Sequence, residues 1–245
     1  MVSKNLIYQT ALKYVECKIF GKQISIPYMI NQKDRYCSPI GKGKAPIEEI
    51  IREFEMKVRE DNLNVEKFNP NEIRELMKKM GLGIDCSGYA YHLLDAFVKM
   101  RTSKDLSLFL LRFPGLLGNI DKMLFNGKRY EKISAAILTS DINTISVDHV
   151  ADIQIGDLIK MTHQGWEGKH VLIVADVTPS YILYTHSSEY VETNGVHFGK
   201  IVIRDKSEDL SKQEWLEMTL NGKNYGKDAF RVDSGDTVRR LKCLV

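Results

Sequence analysis

The chain has 245 residues, of which 43% are hydrophobic and 27% are charged, and its formal net charge at pH 7 is +3. This composition is ordinary for a globular protein and excludes a collagen, a coiled coil and a wholly disordered chain. The weak net charge, without a dense run of Lys and Arg, argues against a nucleic-acid partner.

Hydropathy and cysteine spacing suggest the cellular setting. No apolar run approaches the roughly 18 residues of a membrane-spanning helix, and the first ten residues lack the apolar core of a signal peptide. We therefore expect a cytoplasmic protein without a membrane partner. The four cysteines, at positions 17, 37, 86 and 243, match no metal-binding or redox spacing, and most of them are expected to be reduced.

The first half of the chain has the apolar periodicity of helices. Apolar residues recur at helical spacing over residues 8–19, and Gly21 can end that helix. A second helix is predicted to begin at Pro46. A third follows Asn69, because the residues there match an N-cap, a proline at the first helical position and a capping-box glutamate. Gly81 is predicted to end it.

The second half of the chain changes to the pattern of strands. Short turn signals, Pro179-Ser180 and Asn194-Gly195, separate neighbouring strands and favour an antiparallel meander. Between the halves, about 101–150, we predict a mostly helical insertion, which could equally form a lid. We therefore predict a single α+β domain over residues 1–245. The predicted strands are Leu158–Thr162, His170–Val177, Tyr181–His186 and Val196–Ile203.

One segment combines a cysteine with the start of a helix. Cys86 begins a predicted fourth helix, and Asp85 precedes it as a candidate N-cap. The positive end of the helix dipole favours a thiolate over a thiol. The unpaired backbone N–H groups at the same end can stabilise an oxyanion. Ser87 is a candidate hydrogen-bond donor near the sulfur.

Two histidines follow on neighbouring strands. His170 opens an apolar strand, where alternation places it on the face of Leu172 and Val174, and it can act there as the base for a thiol. His186 ends the next strand, and a hairpin would place it beside His170 to orient the imidazole. His197, in the strand after that, is expected to be structural. A cysteine on a helix followed by two such histidines is far more specific than any one of them.

These segments resemble the NlpC/P60 family. The segment 85–88, Asp-Cys-Ser-Gly followed by Tyr, resembles the nucleophile motif. The segment 156–158, Gly-Asp-Leu, and the pair His170-Val171 resemble the histidine strand, and 184–187 resembles the third motif. The similar segments cover less than a third of the chain.

The resemblance implies a divergent bacterial cysteine peptidase or amidase. Its fold would be a papain-like α+β core, with a helical N-terminal half and the nucleophile helix packed on an antiparallel sheet. Cys86 would be the nucleophile, His170 the base and His186 the orienting residue. The implied substrate is a peptide or amide, and peptides derived from peptidoglycan belong to this class.

The resemblance also has departures. Tyr28 matches a Pro-Tyr segment whose tyrosine shapes the oxyanion site, but the usual following glycines are missing. The stretch from Cys86 to His170 is longer than in the family pattern. Trp166, in a polar loop before His170, is a further candidate for substrate contact.

Two alternatives to hydrolysis remain open. The same thioester could pass its acyl group to an amine or alcohol, or the domain could bind a peptide or cell-wall fragment without catalysis. No cofactor is predicted. No metal is predicted either, because the Asp148-His149 pair has no second pair at ligand spacing. The oligomeric state cannot be read from the sequence.

Overall fold

The computed structural model describes residues 5–31, 36–111, 129–162 and 169–245. It shows a mixed α+β fold, with most of the helix in the first half and an antiparallel sheet in the second. Within these residues, no helix combines the length and the apolar character needed to cross a membrane.

Side-chain caps explain where the helices begin. Asn5 caps the first helix by accepting the N–H of Tyr8. Asn69 accepts the N–H groups of Asn71 and Glu72, and the Glu72 carboxylate accepts the Asn69 N–H at 2.7 Å, so the predicted capping box is confirmed. The helices are α1 (Leu6–Val15), α2 (Ile47–Glu60), α3 (Pro70–Lys79), α4 (Cys86–Thr102), α5 (Ala135–Leu138) and α6 (Tyr225–Ala229).

The predicted extent of the first helix is wrong. The helix ends at Val15, and the chain then forms a hairpin of β1 (Cys17–Ile19) and β2 (Lys22–Ile24). Phe20 and Gly21 turn the hairpin with positive φ angles of 48° and 73°. Two consecutive positive φ angles favour a tight hairpin turn. Gly21 therefore serves a turn between strands rather than the end of a helix.

The remaining strands form one seven-stranded sheet in the order β3-β9-β4-β5-β6-β7-β8. Every neighbouring pair is antiparallel, so the predicted meander is confirmed from β4 to β7, and the unpredicted β8 extends it. The C-terminal strand β9, which sequence analysis does not predict, lies between β3 and β4. The strands are β3 (Thr144–Val147), β4 (Leu158–Thr162), β5 (Lys169–Val177), β6 (Tyr181–Ser188), β7 (Gly195–Val202), β8 (Glu214–Trp215) and β9 (Thr237–Leu241).

The two faces of the sheet bury two different cores. Val171 and Ile173 pack in the core that includes α4, whereas Leu172 and Val174 pack in the other core. This alternation is the one predicted for the strand. His170 pairs with Met161 of β4, which belongs to the second core. The side chain of His170 therefore leaves the strand on the face opposite α4.

The stretch predicted as an insertion is mixed where it is described. It holds short 3₁₀ turns at Leu106–Leu108 and Arg129–Lys132, the single-turn helix α5, and the strand β3. β3 pairs with β9 and thereby joins the main sheet. Residues 112–128 lie outside the described residues. The single domain and the helical insertion stay predictions.

Candidate active site

Cys86 is the first residue of α4 and is held where the helix meets β5. The Asp85 side chain accepts the Gly88 N–H at 2.6 Å and so fixes the start of the helix. The Cys86 side chain is buried, with 8% of the residue exposed. Its sulfur accepts hydrogen bonds from the backbone N–H groups of Val171 and Ser87. The thiol therefore lies at the N-terminal end of β5, beside the residue that follows His170.

The two histidines of the predicted triad are in direct contact. The β5–β6 register pairs Ile173 with Thr185, which places His170 diagonally across from His186. The Nε2 atom of His170 lies 2.8 Å from the Nδ1 atom of His186. Both residues are buried, 8% and 1% exposed, so their hydrogen bond is shielded from competing water.

A carboxylate that sequence analysis does not select lies behind the two histidines. The Nε2 atom of His186 is 3.1 Å from Oε1 of Glu217. The Tyr184 hydroxyl donates to Oε2 of the same carboxylate. The Nε2 atom of His197 lies 2.6 Å from Oε1. The site thus extends from His170 through His186 to a buried acid.

Sequence reasoning could have found one of these residues but not the other. His197 stands directly opposite His186 in the β6–β7 register. Its position in the strand predicted to follow that of His186 is the signal that could have joined it to the site. Glu217 follows the two-residue strand β8 and is 31 residues from His186, with no motif around it.

The hydrogen-bond partners fix the tautomers. A carboxylate only accepts, so His186 carries its proton on Nε2 and donates it to Glu217. The Nδ1 atom of His186 is then an acceptor, and His170 donates its Nε2 proton to it. The remaining ring nitrogen of neutral His170, Nδ1, is consequently the basic one. The site selects the tautomer of His170 that can take up a proton.

Glu217 is the charged end of this chain. Burial alone raises the pKa of its carboxyl, but its interactions with His186 and His197, which include a hydrogen bond with each imidazole, outweigh burial and hold the pKa well below its usual range. Glu217 is therefore ionised at neutral pH, as the tautomer argument requires.

The thiol is protonated, against the expectation from the helix end. The pKa of Cys86 is raised from 9.0 to about 12, first by burial and then by the Asp85 carboxylate. The Lys44 ammonium and the two backbone N–H donors lower it, but by less than burial raises it. Cys86 therefore needs a base before it can act as a nucleophile at neutral pH.

Two tyrosines lie within electrostatic range of the thiol. Burial raises the pKa of Tyr28 well above its usual value, and Cys86 raises it further, so its hydroxyl stays a donor. Backbone bonds hold the segment beside the nucleophile, since Ile84 donates to the Pro27 carbonyl at 3.0 Å. Burial raises the pKa of Tyr225 well above its usual value, and Glu217 and Cys86 raise it further.

The residues flanking Cys86 have structural contacts. Lys44 donates to the Asp85 carboxylate and to the Ser87 hydroxyl. Ser87 lies 3.0 Å from Asp85 and 3.3 Å from the Ile133 carbonyl. These bonds tie the start of α4 to two loops. Sequence analysis does not select Lys44, which stands in a basic turn without a recognisable motif.

A cleft of about 430 Å³ opens beside the thiol. Three lysines, Lys42, Lys44 and Lys169, line it together with Glu131. Residues 134–136, at the start of α5, form part of its wall, so the stretch predicted as an insertion borders the cleft. The cleft has room for part of an extended peptide.

Trp166, the remaining candidate, lies outside the described residues. Asp157 of the Gly-Asp-Leu segment is buried and binds the Arg240 guanidinium at 2.8 Å through both carboxylate oxygens, which is a structural role. Comparison of the chain with protein-family models, curated proteins and solved structures finds no match.

Proposed function

We propose that the protein is a cysteine hydrolase of peptide or amide bonds, built on a papain-like core of the NlpC/P60 type. The observation that carries this proposal is the 2.8 Å contact between His170 Nε2 and His186 Nδ1, with Glu217 fixing both tautomers. The N–H of Val171, the residue after His170, interacts with the buried Cys86 sulfur. A basic Nδ1 on His170 within reach of that thiol is what nucleophilic cysteine catalysis requires.

The first step forms an acyl-enzyme. The proton of the Cys86 thiol passes to Nδ1 of His170, and the sulfur attacks the carbonyl carbon. A carbon–sulfur bond forms as the carbonyl π electrons move to oxygen. Backbone N–H groups at the start of α4 and the Tyr28 hydroxyl would hold that oxyanion. Removing one such donor typically lowers the rate about 100- to 1000-fold.

The second step releases the products. The carbon–nitrogen bond breaks, and the amine leaves with the proton from His170 Nδ1. Water then attacks the thioester and gives one proton to His170. When the carbon–sulfur bond breaks, that proton returns to the sulfur, and the acid product departs. The atoms and protons of these two steps balance without a cofactor or metal.

His186 and Glu217 are positioning residues in this scheme. They keep the proton of His170 on Nε2 and stabilise the imidazolium that forms when the thiol is deprotonated. In serine proteases, loss of the orienting acid favours the wrong tautomer and lowers kcat about 10⁴-fold. We expect a loss of similar kind here when Glu217 is replaced by Gln.

The direct test is the alkylation rate of each cysteine by iodoacetamide, located by mass spectrometry. At pH 7.5, we expect His170→Ala to slow alkylation of Cys86 at least tenfold and to leave Cys37 unchanged. His149→Ala is the matched control, because His149 is exposed and lies away from Cys86. A Cys86 rate that is the same in wild type and His170→Ala would refute the dyad.

A second test uses turnover. A panel of peptide amides, including peptidoglycan-derived peptides, is incubated with wild type and Cys86→Ala. Cleavage by wild type and its loss in the folded Cys86→Ala variant are expected. Equal cleavage by both proteins would rule out Cys86 as nucleophile.

A further inference from the structure

Three side chains behind His170 point metal-binding atoms at one another. The residues are His186, His197 and Glu217. Each offers one ligand atom, and the three atoms all lie within 4.8 Å of one another. The Nε2 atoms of both histidines contact Oε1 of Glu217. The side chains are 0%, 10% and 8% exposed. Two imidazoles and one carboxylate form the ligand set of many zinc sites with an open fourth position.

The other polar atom of each side chain is already held. Nδ1 of His197 lies 2.9 Å from the Gly195 carbonyl oxygen. Nδ1 of His186 contacts His170, and the second oxygen of Glu217 accepts from the Tyr184 hydroxyl. Histidines that bind metals almost always use their second nitrogen in this way, and ligating carboxylates are likewise hydrogen-bonded. These outer contacts aim the three remaining atoms at a common point.

The contacts of His197 supply an independent observation. Its Nδ1 faces a carbonyl and its Nε2 faces the Glu217 carboxylate at 2.6 Å, and both partners are acceptors. Neutral His197 can donate to only one of these two acceptors. A divalent cation between Nε2 and the Glu217 carboxylate would bind both as ligands, and the Nδ1 proton of His197 would then be donated to the carbonyl.

The spacing is close to that of a tetrahedral zinc site. Zinc bound at 2.0–2.1 Å holds its ligand atoms about 3.3 Å apart. His186 Nε2 is 3.1 Å from the Glu217 oxygen, and His197 Nε2 is 2.6 Å from it. The second separation must open by several tenths of an ångström, which small rotations of the side chains provide.

We propose that His186, His197 and Glu217 bind Zn²⁺, and that the bound ion holds His170 in a tautomer that cannot act as a base. The metal-binding half of this proposal is independent of catalysis. The regulatory half rests on the proposed function. The no-metal prediction considered only the Asp148-His149 pair. These three residues escape it because they come from separate elements without ligand spacing.

The regulatory effect follows from proton balance. Zinc takes the Nε2 lone pairs of His197 and His186, and His197 keeps its proton on Nδ1. Neutral His186 must then carry its proton on Nδ1, which it receives from His170 Nε2. The proton displaced from His186 Nε2 ends on His170 Nδ1 through solvent. Each imidazole then carries one proton, and His170 has lost its basic Nδ1.

The binding test is calorimetric titration of the metal-free protein with Zn²⁺. We expect one ion per chain in wild type, Cys86→Ala and the exposed control His149→Ala, with affinities within twofold. His197→Ala is expected to bind at least about tenfold more weakly, which is the lower end of the loss when even an outer partner is removed. Equal binding by His197→Ala, or loss of binding in Cys86→Ala, would overturn the site.

Circular dichroism checks that His197→Ala is folded. If it is not, Glu217→Gln replaces it in the same titration, because Gln keeps the shape of the side chain and is a far weaker ligand. Zinc X-ray absorption on wild type gives a second measurement. Nitrogen and oxygen scattering alone is expected, and a sulfur neighbour would place the ion on Cys86 instead.

The regulatory test is the alkylation rate of Cys86 with and without Zn²⁺. Saturating Zn²⁺ is expected to slow wild type at least tenfold, with recovery after EDTA, and to leave the rate of His197→Ala unchanged. Zinc binding without slowing would overturn the regulation and leave the site in place. If the rate without zinc is also indifferent to His170→Ala, the proposed function itself fails, and calorimetry still decides the metal site.

Discussion

The buried thiol of Cys86 predicts a specific loss of stability at alkaline pH. Its pKa is raised from 9.0 to about 12 in the folded protein, first of all by burial. The folded chain therefore holds this proton more tightly than the unfolded chain. By linkage, the resulting stability is complete below pH 9 and is lost as the pH rises from 9 to 12. At pH 10 the loss amounts to about 1 kcal/mol, and the full shift corresponds to about 4 kcal/mol.

The assay compares urea unfolding of wild type and Cys86→Ser at pH 8 and pH 10. Serine does not ionise in this range, so the difference between the proteins isolates Cys86. The other buried groups that titrate there, such as Cys17, whose pKa burial raises to about 11, are common to both. We expect the free energy of unfolding of wild type to fall by about 1 kcal/mol more than that of Cys86→Ser.

Two results would refute this reasoning. Parallel pH profiles would show that folding does not raise the pKa of the thiol. A wild type that gains stability relative to Cys86→Ser between pH 6 and pH 9 would show a lowered pKa, with a thiolate already present at neutral pH. In that case His170 would stabilise an existing ion pair, and the first proton transfer of the proposed mechanism would be removed.

Substitutions at three positions test the surroundings of the site. Asp85→Asn removes a charge that raises the pKa of Cys86, so we expect faster alkylation, whereas Asp85→Ala should also lose about 1 kcal/mol of capping in urea unfolding. Gly199→Ala places a Cβ 2.2 Å from the Tyr184 ring and should cost about 1–3 kcal/mol in the same assay; unchanged stability would contradict the packing. Asp157→Ala removes the buried carboxylate from the half-buried Arg240 guanidinium, which keeps its bond to the Asp152 carbonyl, and should cost about 1–3 kcal/mol, with Cys86 alkylation unchanged below the melting temperature.

A local sequence signal predicts an element reliably when it has only one structural interpretation. The capping box at Asn69 has a single interpretation, and α3 begins there. Gly21 has two, because both a helix C-terminus and a tight hairpin need a residue with positive φ. Tertiary packing decides between them, since Cys17 and Ile19 are buried while Lys18 is exposed. The alternation over only three residues is too short to be recognised in the sequence.

The residues of the candidate site also differ in whether local signals could predict them. The sequence could predict Cys86 and the two histidines of neighbouring strands as one site, because a helix start and a hairpin are local features. Glu217 could not, because the chain reaches it after a two-residue strand and irregular segments. Its contact with His186 depends on how β8 pairs with β7 at Trp215 and on the path of the chain beyond it. No periodicity encodes that path.

The protonation of Cys86 shows why depth matters more than position along a helix. A charge near a helix end gains about 0.3–1 kcal/mol, and up to about 2 in partly buried sites. The rise of the thiol pKa from 9.0 to about 12 corresponds to about 4 kcal/mol against the thiolate. Burial therefore exceeds the helix dipole, and position in the sequence reveals only the weaker effect. A thiol held neutral in this way reacts only if a base of the correct tautomer is adjacent. In the proposed mechanism, the burial of Cys86 makes the reaction depend on His170 as a base. Glu217 is needed for the same reason, because it sets the tautomer of His170 through His186.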